Sequence, residues 1–248
     1  MRLQLISCEI FFREMCATLA RSPNQIDVVF LPKGLHDIGA KPMRERLQAA
    51  VDQVDAGRYE AILLGYGLCG MGISGLEARW LPIVIPRAHD CITLFLGSKE
   101  RYLEYFNSNP GVYFETTGWL ERGNGFDPSG QLPTQHLAGL AATYQELVDK
   151  YGEENAQFLF QELGDLTRKY GQFTFIEMGI EPDGRFERQA REEAARRGWK
   201  FEKIPGDLSL IRRLTDGPWD EEDFLVLQPG HRVAAANNDR ILKAEPIP

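Results

Sequence analysis

Three of the chain's four cysteines lie just past the ends of strand-like apolar segments. Cys8, Cys69 and Cys91 each follow such a segment, and His89 lies two residues before Cys91. Thiolate and imidazole groups are the ligands of soft and borderline metals such as zinc. If the three strands belong to one parallel sheet, their carboxyl ends lie at the same edge, where ligands bind in such folds. The residue types therefore predict a metal site built from separate strand ends.

The residues next to Cys8 suggest an activated thiol. Glu9 follows at the predicted start of a helix, where backbone N–H groups stabilise a thiolate and lower its pKa. The fourth cysteine, Cys16, lies inside that helix with no motif around it. Because free cysteine is among the most buried residue types, we expect Cys16 to be a core residue and not a ligand.

Glycines surround Cys69, at positions 65, 67, 70 and 72. So many glycines after a strand predict unusual backbone conformations and a backbone that a ligand can approach closely. Gly67, Gly70 and Gly72 are therefore candidate cofactor-binding residues. A tight strand-to-helix turn is the alternative interpretation. A phosphate-binding loop is disfavoured, because the Walker lysine pattern is missing.

The segment from Arg87 to Cys91 contains further candidate polar groups. In an extended segment His89 and Cys91 would point to the same side, so both could bind one ion. Asp90 or Arg87 could then orient the imidazole or balance the thiolate charge. We expect Glu9 and Asp90 to transfer protons and Arg87 to anchor an anionic substrate. A simple hydrogen-bonded histidine at a strand end is the structural alternative.

Two kinds of metal centre suit these ligands. Zinc accepts two cysteines and a histidine with an open position, or a closed set of three cysteines and a histidine. In the open case it would activate a thiol or water as nucleophile. Three cysteines alone could instead hold a 4Fe–4S cluster with one iron free for substrate. His89 favours zinc slightly over the cluster.

Composition narrows the class of partner. The 248 residues carry a formal net charge of −8, and no basic stripe offers a nucleic-acid footprint. The basic segment at 185–197 is interleaved with glutamates, which is typical of a solvated helix face. No apolar run approaches the roughly 20 residues of a membrane span, and no export signal is recognisable. We expect a cytoplasmic protein with reduced cysteines and a small-molecule substrate.

Strands and helices alternate along most of the chain, which predicts an α/β protein with right-handed crossovers. We expect two Rossmann-like lobes with mostly parallel sheets flanked by helices. The predicted lobes are residues 1–135, which carry the Cys/His site, and residues 171–248, joined by a helical connector at 136–170. Predicted strands are 2–7, 26–31, 61–64, 81–85, 112–115, 173–177, 200–204 and 224–227. Predicted helices are 9–20, 43–54, 99–106, 138–150, 153–170, 186–197 and 209–214. Residues 116–133 are rich in Gly and Pro and are expected to form a long loop.

Several segments resemble an uncharacterised prokaryotic family catalogued as domain of unknown function 1638. The resemblance covers residues 1–155 best. Members of that family occur mainly in anaerobic bacteria and archaea, some near genes of corrinoid-dependent methyltransferases, which implies one-carbon chemistry as a context. The segments are Ser7-Cys8-Glu9, Gly34-Leu35-His36-Asp37, Leu64-Gly65-Tyr66-Gly67-Leu68-Cys69-Gly70 and Pro86-Arg87-Ala88-His89-Asp90-Cys91-Ile92-Thr93.

The leading expectation is an enzyme that acts on a small molecule at a Cys/His-bound metal, with methyl transfer to or from a thiol or amine as the preferred reaction. An iron–sulfur lyase or desulfidase is the first alternative. A non-enzymatic metal- or corrinoid-binding accessory protein is the second, with a corrinoid protein or methyltransferase as partner. A metal-free racemase with two catalytic thiols is disfavoured, because all four cysteines precede residue 92.

Overall fold

The computed structural model describes residues 1–36, 38–122, 153 and 170–247. The helices predicted at 138–150 and 153–170 lie outside these residues, apart from single positions at the ends of the second. The strands of the described residues are β1 (Arg2–Cys8), β2 (Gln25–Leu31), β3 (Ala61–Gly65), β4 (Glu77–Ala78), β5 (Ile83–Pro86), β6 (Val112–Thr116), β7 (Gln172–Glu177), β8 (Lys200–Pro205), β9 (Phe224–Leu227), β10 (His231–Ala235) and β11 (Leu242–Pro246).

One helix of the described residues begins at Cys91 itself. The full set is α1 (Phe12–Leu19), α2 (Ala40–Asp52), α3 (Cys91–Leu96), α4 (Lys99–Ser108), α5 (Thr117–Arg122), α6 (Arg185–Arg197) and α7 (Ser209–Asp216), with 3-10 turns at Glu9–Phe11 and Lys33–His36.

The strands form three sheets. The largest has the order β2-β1-β3-β5-β9, in which the first four strands are parallel and β9 is antiparallel to β5. A second, parallel sheet has the order β6-β7-β8. A third, antiparallel sheet has the order β11-β10-β4. The predicted class, α/β with parallel sheets flanked by helices, is therefore confirmed.

The predicted lobes are not confirmed, because the sheets cut across the predicted boundaries. Strand β9 comes from the C-terminal segment yet completes the first sheet beside β5. Strand β6 comes from the N-terminal segment yet pairs with β7 in the second sheet. The polar tail, in which no strand was predicted, contributes β10 and β11. The start of the predicted loop at 116–133 is helical instead, since Thr117–Arg122 form α5.

Local sequence signals account for several helix ends. The Ser98 hydroxyl accepts a hydrogen bond from the Arg101 N–H and caps α4, as expected of a serine at this position. Helix α6 ends at Gly198, whose φ of +68° is the left-handed conformation that favours glycine. Asp90 caps α3 in the same manner as Ser98 caps α4.

The core lies around β1, β3 and β5, which are buried along their whole length apart from the exposed first residue of β1, because both faces of a parallel sheet are covered by helices. A smaller cluster packs against the second sheet and includes Tyr113, Phe173, Phe175, Phe186 and Ala190. In the part of the chain that the structure describes, every helix is too short or too polar to cross a membrane.

Helix α1 buries a carboxyl group. Glu14 is 1% exposed, and its Oε2 has no hydrogen-bond partner among the described residues. Burial raises the pKa of Glu14 to about 7, and the carboxylate of Glu181 acts in the same direction. The protonated form is therefore favoured in the folded protein.

We expect Glu14→Gln to change how the free energy of unfolding depends on pH. Between the ordinary value of 4.5 and about 7 the unfolded chain releases its proton more readily than the folded one, so the wild-type protein loses stability as the pH rises. The variant lacks this loss and should be more stable than wild type at pH 8 by about 3 kcal/mol, with a much smaller difference at pH 4.5. Urea unfolding at both pH values measures this.

Glu45→Gln on the exposed face of α2 is the matched control and should show no such difference. A stability difference between Glu14→Gln and wild type that stays constant with pH would contradict the buried ionisation.

Candidate three-thiol site

The topology places Cys8 and Cys69 at a switch point of the five-stranded sheet. From β1 the chain passes to β2 on one side, and β3 lies on the other side. In open α/β sheets the crevice outside the carboxyl ends of two such strands is where ligands bind. Cys8 is the last residue of β1, and Cys69 lies four residues beyond β3. The predicted convergence of strand ends therefore has the expected location.

Two backbone hydrogen bonds join the loop after β3 to the loop after β5. The Leu68 N–H donates to the Ala88 carbonyl at 2.8 Å, and the Cys69 N–H donates to the His89 carbonyl at 2.9 Å. A Cβ at Gly67 would lie 3.0 Å from backbone atoms of the second loop. Only glycine allows this approach without displacement, so the pairing of the sheet continues beyond its strands and brings Cys69 towards α3.

The backbone at Cys69 is strained. Cys69, Gly70 and Met71 have φ angles of +47°, +60° and +74°, which a non-glycine residue adopts at a cost of about 1–2 kcal/mol. At Gly72 a Cβ would lie 2.3 Å from the Met43 sulfur. A side chain at position 67 or 72 would collide with neighbouring atoms, and position 70 has a positive φ that favours glycine. The cofactor-binding role of all three stays a prediction.

The three thiols are buried and lie near one another. Cys8 is 1% exposed, and Cys69 and Cys91 are each 7% exposed. The charge of Cys8 acts on both other thiols, and that of Cys69 acts on Cys91, so the three belong to one cluster.

The prediction that a helix start lowers the pKa of Cys8 is wrong. Burial raises the pKa of Cys8 to about 12 and outweighs the nearby backbone donors. Burial also raises the pKa of Cys69 and of Cys91, and the charge of Asp90 adds to both effects. All three thiols are therefore protonated near neutral pH unless a cation binds them.

Each sulfur nevertheless has polar neighbours that favour its thiolate form. The Ile10 N–H and the Tyr66 side chain lower the pKa of Cys8, and the Trp119 side chain lowers the pKa of Cys91. The backbone N–H groups of Gly67 and Cys91 donate to Cys69. These donors surround the cluster with partners for negative sulfur.

Asp90 organises the start of α3. Its Oδ1 accepts hydrogen bonds from the N–H groups of Ile92 and Thr93, and its Oδ2 accepts one from the Tyr102 hydroxyl at 3.0 Å. Burial raises the pKa of Asp90, and the Tyr102 hydrogen bond opposes this. Asp90 is thus held rigidly next to Cys91, and its predicted proton-transfer role stays a prediction.

His89 differs from the three thiols in its exposure to solvent. Its side chain is exposed, and its ring centroid is 6.4 Å from that of Tyr102. The expectation that His89 and Cys91 share one side assumed an extended segment, but Cys91 already belongs to α3. The role of His89 as a metal ligand stays a prediction.

Arg87 has a structural role that the sequence did not reveal. It is buried, and its Nε donates to the carbonyls of Glu221 and Phe224 at 2.9 and 3.1 Å. Its Nη1 donates to the carbonyls of Arg240 and Leu242. These bonds fasten the end of β5 to β9 and to the start of β11. The role of Arg87 as an anchor for an anionic substrate stays a prediction.

Sequence reasoning did not single out Lys33, Tyr66 or Tyr102 as residues of this site. The backbone N–H of Lys33 donates to Oε1 of Glu9 at 2.8 Å, and the Lys33 ammonium lies 4.6 Å from the centre of the Trp119 ring. Lys33 follows β2 closely. The rule that selected the cysteines, a reactive group past a strand end, would also have selected this lysine.

Helix α5 carries Trp119 from the second sheet to the thiols. A Cβ at Gly118 would lie 1.7 Å from the Ile10 carbonyl oxygen, so α5 packs directly on the turn that follows Cys8. Among the described residues, no three side chains of His, Cys, Asp or Glu are arranged as a group that could hold a metal ion.

The fold and these residues define an α/β protein with a buried three-thiol site at a topological switch point. The chain belongs to the family described as a protein of unknown function (DUF1638), whose sequence profile matches residues 30–215. This confirms the resemblance seen in the motifs; the matched segment includes Cys69 and Cys91 and begins after Cys8. No curated protein and no solved structure matches the chain.

We expect Gly118→Ala to destabilise the protein strongly. The added methyl group would overlap a backbone carbonyl, which cannot rotate away as a side chain can, so α5 must shift. The free energy of unfolding, measured with urea, should fall by at least about 2 kcal/mol. Gly171→Ala is the matched control, because a Cβ there meets nothing within 4 Å. Equal effects of the two substitutions would contradict the close packing of α5.

Proposed function

We propose that this protein is an enzyme that acts on a small molecule at a metal centre ligated by the thiolates of Cys8, Cys69 and Cys91, with zinc as the metal. One observation carries the proposal: three buried thiols from three separate strand ends lie within range of one another's charge at the switch point of the sheet. Ligands that come from separate strand ends are more typical of a functional metal site than of a metal site that only stabilises the fold.

The chemistry of the thiols supports a bound cation. Burial makes each thiolate unfavourable by itself, whereas ligation to a metal deprotonates a thiol outright. The backbone and aromatic donors around the sulfurs would then stabilise the resulting negative charge. In the structure the thiols are neighbours and not a formed coordination sphere. Metal binding must therefore draw them together and release their protons, so affinity should rise with pH.

The surrounding residues could serve a reaction at this centre. Zinc with an open position supplies Lewis-acid activation of a bound thiol or water. Tyr102, hydrogen-bonded to Asp90, can hold a proton beside Cys91. Glu9 is oriented by the Lys33 N–H beside Cys8. His89 is the candidate fourth ligand.

A 4Fe–4S cluster is a second candidate, which the position of His89 favours. Because His89 is exposed whereas the thiols are buried, the inner set consists of three cysteines alone. Three cysteines leave one iron of such a cluster open to substrate, and hydrogen bonds to the sulfurs tune its potential. The reaction would then be that of a lyase or desulfidase.

The reaction class rests on the family resemblance. It suggests methyl transfer to or from a thiol or amine, with a corrinoid protein or methyltransferase as partner. A non-enzymatic accessory protein that binds metal or corrinoid remains the alternative in another functional class.

We expect anaerobically purified protein to contain zinc, or iron with inorganic sulfide, in a fixed ratio to the chain. Substitution of Cys8, Cys69 or Cys91 by Ser should reduce metal content at least about tenfold, because each variant loses one of three thiolate ligands. Elemental analysis measures the metal. Absorbance near ~400 nm identifies the cluster, whereas a zinc protein is colourless.

Cys16→Ser is the matched control and should keep the full metal content, since Cys16 lies in α1 outside the cluster. His89→Ala separates the two candidates: zinc affinity should fall if His89 is a ligand, and cluster content should not change. Folded wild-type protein that contains neither metal would refute the proposal.

A further inference from the structure

We propose that Lys33 is the anion-binding residue of the three-thiol site and that the substrate carries a single carboxylate. The inference rests on the proposed function in one respect, namely that the substrate binds beside the thiols. It names the substrate class, which the thiols themselves do not determine.

The position of Lys33 follows from the fold. It begins the turn Lys33–His36 that follows β2, at the same edge of the sheet as Cys8. Its backbone N–H is fixed by Oε1 of Glu9, the residue next to Cys8. Its ammonium group lies over the Trp119 ring, 4.6 Å from the centre, and the Trp119 side chain is close enough to Cys91 to lower the pKa of that thiol. The lysine and the thiols therefore share Trp119 as a common wall.

The charge of Lys33 is directed to the site and is available to a ligand. It lowers the pKa of Cys8 and also that of Glu115, a buried carboxyl group at the end of β6. In the part of the chain that the structure describes, the ammonium group forms no ion pair, and the side chain is only partly buried. Arg87, the cation that the sequence predicts at the site, already donates to four main-chain carbonyls.

The neighbouring charges favour a monoanion. The charges of two carboxylates act on the thiols, that of Glu9 on Cys8 and that of Asp90 on Cys69 and Cys91, and the charge of Lys33 opposes that of Glu9 at Cys8. A phosphate dianion would meet two carboxylates and one cation, so repulsion would oppose its binding. A carboxylate carries one charge, which Lys33 alone can balance, and the ring of Trp119 keeps the ammonium partly desolvated.

The test is a titration of the purified full-length chain with sodium acetate as the probe, with chloride replaced to keep ionic strength constant. The readout is the ¹H–¹⁵N resonance of the Trp119 indole, assigned with Trp119→Phe. Wild-type protein should show a saturable shift. Lys33→Gln should raise the dissociation constant for acetate at least about fivefold, because it removes the balancing charge. Lys33→Arg keeps the charge and should leave the dissociation constant nearly unchanged.

Lys41→Gln, an exposed lysine of α2, is the control for bulk charge and should bind acetate as wild type does. No saturable shift in wild type, or equal binding by Lys33→Gln, would overturn the proposal. Tighter binding of inorganic phosphate than of acetate would overturn the assignment to a monocarboxylate. Repeating the titration after chelator treatment separates this result from the metal proposal, since acetate binding at Lys33 requires no metal.

Discussion

The site depends on the close approach of two loops that continue the sheet past β3 and β5. Two backbone hydrogen bonds hold them together, and the absence of a side chain at Gly67 permits the contact. Because the loops are paired, Cys69 is carried to the start of α3, where its sulfur accepts hydrogen bonds from the Gly67 and Cys91 backbones. The left-handed conformation of Cys69 is a cost of the same arrangement. This pairing is the interaction that brings Cys69 close to Cys91.

The second sheet is connected to the thiols through α5. Strand β6 leads directly into α5, and Gly118 lets α5 rest on the turn after Cys8. Trp119 therefore reaches Cys91 from outside the first sheet. The ammonium of Lys33, from the turn after β2, lies over the ring of Trp119. Residues from β2 and from α5 therefore meet beside the thiols.

Local sequence patterns predicted the α/β class and most of the strands, whereas the metal-binding and catalytic roles assigned to the residues after those strands stay predictions. The apolar strands before Cys8, Cys69 and Cys91 are detectable because each is short, buried and followed by polar or glycine residues. Sheet membership is a long-range property, so neither the place of β9 beside β5 nor the bonds of Arg87 to distant carbonyls had a local signal. The pKa of Cys8 was mispredicted for a similar reason. A helix start is visible in sequence, whereas the depth of burial that outweighs it is set by the whole core.

Arg87 and Lys33 both follow strands of the first sheet, but their side chains have different partners. Arg87 lies beyond β5, and the antiparallel edge strand β9 presents carbonyl oxygens that its guanidinium binds. Lys33 lies beyond β2, which is the opposite edge strand and has no neighbour on its outer side among the described strands. The guanidinium of Arg87 therefore binds main-chain carbonyls at one side of the sheet, whereas the ammonium of Lys33 lies over Trp119 on the other.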